Sequence, residues 1–355
     1  MEKNNILVIN PGAISTKFAV FADDQPILKK TLEHEVIELE QFARVFDQYT
    51  YRLELILKEL AKANIELNSI NAVVGRGGLV KPLAGGTYRV SENMLSDLKE
   101  GKRGEHASNL GAVIAYNIAS KLNIPAFIVD PVSVDEMEPV ARISGLPDID
   151  RTSLSHALNM KAVAHKVAKE LGKGYQEFNF VVAHLGSGVS VTPHKRGRMI
   201  DVNNAIEEGP FSPDRCGGLP ATQLMNLCYS GKYTHKEMKE KLISKGGLFA
   251  YLGVKDLREI EKMAVDGNQQ AVLLLNALSY QVSKEIAAMS AVLEGQVDRI
   301  IITGGIAHSK RITDDIIKRV KFIAPVILVP GEEELGSLAM GALRVLRREE
   351  VAKEY

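Results

Sequence analysis

The stretch Ile6-Leu7-Val8-Ile9-Asn10-Pro11-Gly12-Ala13-Ile14-Ser15-Thr16-Lys17-Phe18-Ala19-Val20-Phe21 has a distant counterpart in Phe180-Val181-Val182-Ala183-His184-Leu185-Gly186-Ser187-Gly188-Val189-Ser190-Val191-Thr192. With Gly12 set over Gly186, the two match in kind. Each has four mostly apolar residues, a polar residue, a glycine two positions on, a small-residue turn and a second strand. A Gly/Ser turn at a hairpin tip leaves backbone N–H groups free to face an anion. Glycine there removes the Cβ that would hold a phosphate away. The plain alternative is two ordinary hairpins. Taken together, the tips predict a duplicated domain gripping one phosphorylated ligand in an interdomain cleft.

The chain's 355 residues give room for about two domains with full cores. Hydrophobic content of 45% and charged content of 25% are those of a soluble globular protein. Lys plus Arg balances Asp plus Glu at 44 each, so no basic face for nucleic acid is expected. Cys216 and Cys228 are the only cysteines, with no CxxC, which argues against a disulfide scaffold or structural zinc. Met1 to Asn5 lead straight into a core strand, leaving no room for a signal peptide, and no apolar run reaches membrane-spanning length. A cytoplasmic protein is expected.

Phe42, Phe46, Tyr49, Leu53, Ile56 and Leu60 step by three and four, predicting a long amphipathic helix. Residues 71–75 and 125–129 read as buried strands, the first entering Arg76-Gly77-Gly78 and the second ending at Asp130-Pro131. Helices are predicted over 106–122 and 152–171. In the second half, Leu275, Leu278, Val282, Ile286, Met289 and Leu293 mark another core-facing helix. Strands 299–303 and 325–330 and a helix over 333–348 complete the chain. Alternating strands and helices, with a hairpin opening each half, predict an α/β protein with mixed sheets. The expected domains are 1–150, completed by the C-terminal segment 333–355, and 151–332.

Several residues stand where chemistry could be done. Gly12 to Lys17 is not a Walker A motif, because Lys17 opens a strand rather than a helix. Lys17 would project toward an anion at the tip, or be a solvated edge-strand lysine. Arg76 could clamp a carboxylate bidentately, or lie idle on the surface. His106 and His156 sit near predicted helix starts, where histidines also serve as caps. Asp130 closes a buried strand, as catalytic or metal-binding carboxylates in α/β proteins do, or is a turn aspartate. Arg215 follows a proline-stiffened loop, a rigid mount for a cation at a transition state. Gly304, Gly305 and Ile306 end a strand in a turn that could hold adenosine against backbone, or merely connect elements.

The order of Asn10-Pro11-Gly12 to Lys17, Gly-Gly-Thr-Tyr at 85–88, His184-Leu185-Gly186-Ser187-Gly188 and Thr303-Gly304-Gly305-Ile306-Ala307 resembles the butyrate kinases. These belong to the acetokinase group of the sugar kinase, Hsp70 and actin superfamily. The resemblance runs from Ile6 to about Leu346. It implies two duplicated actin/ribonuclease-H-like domains with mixed five-stranded sheets, and ATP-dependent phosphorylation of a short carboxylic acid. ATP/ADP and Mg2+ are the implied cofactors, and a homodimer or larger assembly the implied state. It also implies phosphate contacts from Asn10, Ser15, Lys17, His106, His184, Gly186, Ser187 and Gly188. Arg76 would hold substrate, Arg215 and His156 would serve catalysis, Gly304 to Ile306 the nucleotide, and Asp130 with Glu333 the magnesium. Three positions depart from acetate kinases: Ala13 and Ser187 replace a serine and an asparagine, and Ser155 replaces an aromatic residue near the acyl pocket. Alternatives are an acyl kinase for acetate, propionate or branched acids, a sugar kinase, and an ATP-driven conformational protein like Hsp70 or actin. Hinge closure on nucleotide is expected of the kinase.

Overall fold

The computed structural model describes residues 3–355 and divides them into two compact units, 3–134 with 333–355, and 135–332. The first unit is built on six strands: β1 (Asn5–Pro11), β2 (Ser15–Ala22), β3 (Gln25–Glu33), β4 (Ala72–Arg76), β5 (Thr87–Arg89) and β6 (Ala126–Val129). Their order is β3-β2-β1-β4-β6-β5. β1 pairs antiparallel with β2 and parallel with β4, so it lies inside the sheet. This is why Ile6 to Ile9 form an unbroken apolar run, all fully buried. β3 is an edge strand carrying Lys29 and Lys30, and its mixed polar sequence gave no strand signal. The short β5 adds a sixth strand to the five expected.

The second unit holds a two-stranded hairpin, β7 (Ile143–Leu146) and β8 (Ile149–Asp150), and a five-stranded sheet. The sheet comprises β9 (Asn179–Leu185), β10 (Val189–Lys195), β11 (Arg198–Met199), β12 (Arg299–Gly304) and β13 (Val326–Pro330), in the order β11-β10-β9-β12-β13. In the first unit β1 to β3 form an antiparallel meander with β4 and β6 added in parallel beside β1, and in the second β9 to β11 do the same with β12 and β13 beside β9. The two sheets therefore share one topology, with the matched hairpins at equivalent places. The helix Gln269–Val292 buries Leu275, Leu278, Val282, Ile286 and Met289 against the second sheet, the face its spacing predicts. No helix among the described residues is long and apolar enough to cross a membrane.

Several boundaries differ from the sequence reading; the helices expected over 106–122 and 152–171 span Asn109–Leu122 and Ala157–Glu170. Residues 135–150 pack in the second unit, because Glu136 forms a buried ion pair with Lys161 (2.9 Å) and accepts the Met199 amide (2.7 Å). The first long helix spans Tyr49–Lys62, so Phe42 and Phe46 precede it in a loop and a short 3-10 turn.

The helix Asn109–Leu122 lies unusually close to β4. A Cβ on Gly75 would sit 2.1 Å from the Gly111 carbonyl oxygen, and one on Gly111 2.4 Å from that of Arg76. Both are rigid backbone atoms. Gly111→Ala should lower stability by about 2–3 kcal/mol, read as a shifted denaturation midpoint. An unchanged midpoint would mean that helix and strand separate freely.

Candidate active site

In the first unit, the β1–β2 tip closes with the Gly12 amide donating to the Ser15 carbonyl (2.7 Å). Behind it stands Arg52, fully buried on the helix Tyr49–Lys62. Its guanidinium donates to the carbonyls of Gly12 (2.9 Å), Ala13 (3.1 Å) and Ser15 (3.0 Å) and to the Thr16 hydroxyl (3.0 Å). Gln48 accepts from it as well, at 2.9 Å. Burial lowers the Arg52 pKa, yet a guanidinium stays protonated at any pH the fold survives. Sequence reading missed this residue, whose signal was a charge inside the apolar stripe at 49, 53, 56 and 60.

Asn10 and Arg76 converge on one carboxylate. Asn10 Nδ2 donates to Glu334 Oε2 (2.7 Å), and Arg76 Nη1 pairs with Glu334 Oε1. Glu334 was not singled out in the sequence. The neighbouring Glu333, which was, has an exposed side chain paired with Lys29 (3.2 Å). Asp130, buried just after β6 at a φ of 37°, accepts the Gly86 amide on Oδ1 (2.7 Å). That bond ties it to the Gly85-Gly86-Thr87-Tyr88 segment. His106 lies in the loop before its helix, with Nδ1 accepting from the Ser108 amide. Surrounding protein and then the Arg76 charge lower its pKa, although the ring is exposed. Lys17 is exposed on β2, and Ser15 is half-buried at the tip.

In the second unit, the β9–β10 tip closes with the Gly186 amide donating to the Gly188 carbonyl (3.0 Å). The His184 and His156 rings stack with centroids 3.9 Å apart and planes 10° from parallel. His184 is fully buried, with Nδ1 at 2.9 Å from Asn159 Oδ1 and Nε2 at 3.0 Å from a Glu332 oxygen, too oblique for a hydrogen bond. His156 Nδ1 meets the Ser190 hydroxyl at 2.9 Å. Arg215 lies over the tip: a Cβ on Gly188 would fall 2.4 Å from its Nη1 and 3.3 Å from His156 Cε1. Its own amide donates to Ser212 Oγ (3.1 Å), and Nη1 donates to the Ala205 carbonyl (3.0 Å). No carboxylate pairs with Arg215 among the described residues. Ser187 is exposed at the tip. Gly304 ends β12 and Gly305 is exposed with open space above it, whereas the Ile306 side chain is buried in the core. With its side chain in the core, Ile306 presents its backbone at the turn, the part of the residue its expected role uses.

The acetokinase family pattern matches residues 151–328, half of the chain. The chain belongs to the acetokinase family. It is thereby an acyl kinase, a phosphotransferase with a carboxyl acceptor, and the family match does not favour an Hsp70- or actin-like ATPase. Its fold is similar to that of three solved structures. The acetate kinase of Porphyromonas gingivalis matches at a TM-score of 0.79 and 20% identity, over 97% of this chain and all of that one. The acetate kinase of Entamoeba histolytica gives 0.76 at 16% identity, covering 95% and 98%. The propionate kinase of Francisella tularensis subsp. tularensis SCHU S4 gives 0.74 at 19%, also covering 95% and 98%. The acetokinase-family chain thus keeps its relatives' fold at low sequence identity.

The buried His34 should make the first tip sensitive to acid. Its Nε2 meets Thr16 Oγ1 at 2.8 Å. Burial, and then the Arg52 charge, push its pKa down from 6.5 to about 4. When unfolded, His34 binds a proton below about pH 6.5, while the folded ring stays neutral to about pH 4. Its contribution is therefore complete above pH 6.5 and lost as pH falls toward 4, by up to about 3 kcal/mol. Unfolding free energies between pH 7.5 and 4.5 should show a flatter slope for His34→Gln. Equal slopes would place the acid sensitivity elsewhere.

Proposed function

We propose that this acetokinase-family chain is a butyrate kinase, interconverting butyrate plus ATP with butyryl phosphate plus ADP by direct in-line transfer. The observation that carries the phosphoryl-transfer step is Arg215 packed over Gly188 beside His156, with no carboxylate pairing with it among the described residues. A buried or half-buried cation without a counter-ion suits charge on a transferring phosphoryl group. A carboxylate acceptor is ionised at neutral pH, so no general base is required.

Arg76 would hold the acceptor carboxylate. Its present pairing with Glu334 supports this, since the guanidinium already receives a carboxylate there. Arg215 and His156 would donate to the equatorial phosphoryl oxygens. Ser190, whose hydroxyl meets His156 Nδ1 at 2.9 Å, holds the ring's orientation for that task. Asn10, Ser15 and Lys17 on one tip, and His184, Gly186, Ser187 and Gly188 on the other, would hold phosphate, with His106 beside Arg76. The backbone at Gly304, Gly305 and Ile306 would lie against the nucleotide. Magnesium suits the hard oxygens of Asp130 and Glu333, which would hold it largely through water. A site completed by substrate phosphates needs only one or two protein carboxylates. Bound, the ion would neutralise charge on the ATP phosphates.

The preference for butyrate rests on Ser155. It is buried beside His156, and its hydroxyl has no hydrogen-bond partner. A small side chain there leaves room for added methylenes, each worth about 0.8 kcal/mol, or a few-fold in binding. Trapping acyl phosphate with hydroxylamine across acetate, propionate, butyrate, isobutyrate and valerate tests the reading. Turnover should peak at four carbons, and Ser155→Phe should move the peak toward acetate. A peak at acetate or propionate in the unaltered protein would reassign the substrate.

Arg215→Ala should lower kcat by about 10³-fold or more, with a smaller change in substrate KM. Steady-state kinetics in both directions give both values. A near-normal kcat would remove Arg215 from the chemistry.

A further inference from the structure

Arg52 is a charge with no carboxylate to answer it. None of the ion pairs among the described residues involves it, and its neighbours Gln48, Thr16 and His34 are neutral, the last because burial keeps it so. Burying a guanidinium in this way is costly unless something anionic compensates. Its hydrogen bonds indicate where that anion would be.

Peptide groups are planar and, among the described residues, without any cis bond, so a carbonyl and the following N–H point in opposite directions. Arg52 takes the carbonyls of Gly12 and Ala13. The amides of Ala13 and Ile14 therefore face away from it, toward the exposed side of the tip. Neither of these amides donates in the bonds that close the turn, where Gly12 N–H goes to Ser15. The guanidinium thus holds the negative ends of two peptide dipoles and leaves the positive ends outward. Successive outward amides form an anion-binding concavity, and a cation at the opposite ends strengthens it. Ala13 and Ile14 are exposed, so an anion can reach these amides.

We propose that Arg52 is a positioning residue for phosphate, orienting and polarising the Ala13 and Ile14 amides from behind the hairpin. It touches no substrate. The side-chain hydroxyl that Ala13 does not supply is replaced by backbone donors that Arg52 keeps in register. This deepens the acyl-kinase reading, on which its role in turnover depends, but it concerns polyphosphate binding first.

The test is calorimetric binding of inorganic tripolyphosphate to the full chain and to Arg52→Met and Arg52→Lys, with thermal unfolding to confirm folding. Arg52→Met, which keeps the bulk and loses both charge and donors, should weaken binding tenfold or more. Arg52→Lys, which keeps the charge, should recover part of the loss. In the acid-series assay, KM for ATP should rise in the same order while KM for the carboxylate stays within threefold, a split that general damage to the fold would not produce. Folded Arg52→Met binding tripolyphosphate within threefold of wild type would overturn the proposal, as would a wild type that does not bind it. Should Arg52→Met fail to fold, a loss of threefold or more in Arg52→Lys supports the proposal and a smaller one overturns it. Tripolyphosphate binding that depends on Arg52 in a chain making no acyl phosphate would sink the kinase reading and leave this one standing.

Discussion

A hairpin tip can offer its amides to an anion only if its carbonyls are satisfied on the other side, because each planar peptide faces two ways. That constraint organises both halves of this protein. In the first unit the partner is Arg52, which gathers the carbonyls of Gly12, Ala13 and Ser15. In the second it is Ser212, whose hydroxyl donates to the Ser187 carbonyl. The Gly188 amide must then face the opposite way. The same Ser212 oxygen accepts the Arg215 amide, so one hydroxyl fixes both the tip and the start of the arginine loop. Duplication supplied the sheet topology twice, and each copy met the constraint with a different residue.

The two solutions have different consequences. A serine hydroxyl is neutral, costs little to bury once bonded, and couples its hairpin to a loop. Further bonds hold that loop: the Leu248 and Phe249 amides donate to the carbonyls of Ser212 and Pro213, and the Cys216 amide to that of Leu242. Arg215 therefore rests on a mount of ordinary hydrogen bonds. The first tip instead imports a full charge. A protonated His34 beside it would add a second cation, and burial together with Arg52 keeps the ring neutral. On the proposed function, charge at one hairpin and rigidity at the other are two ways of preparing a backbone for phosphate.

Much of this was legible in the sequence, and the limits have physical causes. Interior strands announce themselves because both faces are buried, as in Ile6 to Ile9 and Ile300 to Ile302. The edge strand β3 did not, since solvent on one side and lysines along it erase the pattern. The helix face at 275–293 followed from its spacing, but the same rule placed Phe42 and Phe46 on a helix they precede. Arg52 was passed over because periodicity counts apolar residues, and it occupies a core position as a cation. Residues 135–150 carried no composition change to mark a boundary, and the Glu136–Lys161 pair that assigns them spans residues distant in sequence.

The run Glu332-Glu333-Glu334 shows why residue type and order cannot by themselves assign roles. Glu332 approaches buried His184, Glu333 pairs with Lys29, and Glu334 receives both Asn10 and Arg76. Chemically the three are identical. Glu333 is the non-helical N-cap of the last helix and Glu334 its first residue, so the start of the coil sends their side chains in different directions. A one-residue shift there would exchange a carboxylate held against a guanidinium for one exposed to solvent. The sequence shows that an acid is available at this point. Which acid meets Arg76 is decided by where the chain leaves β13 and begins to coil.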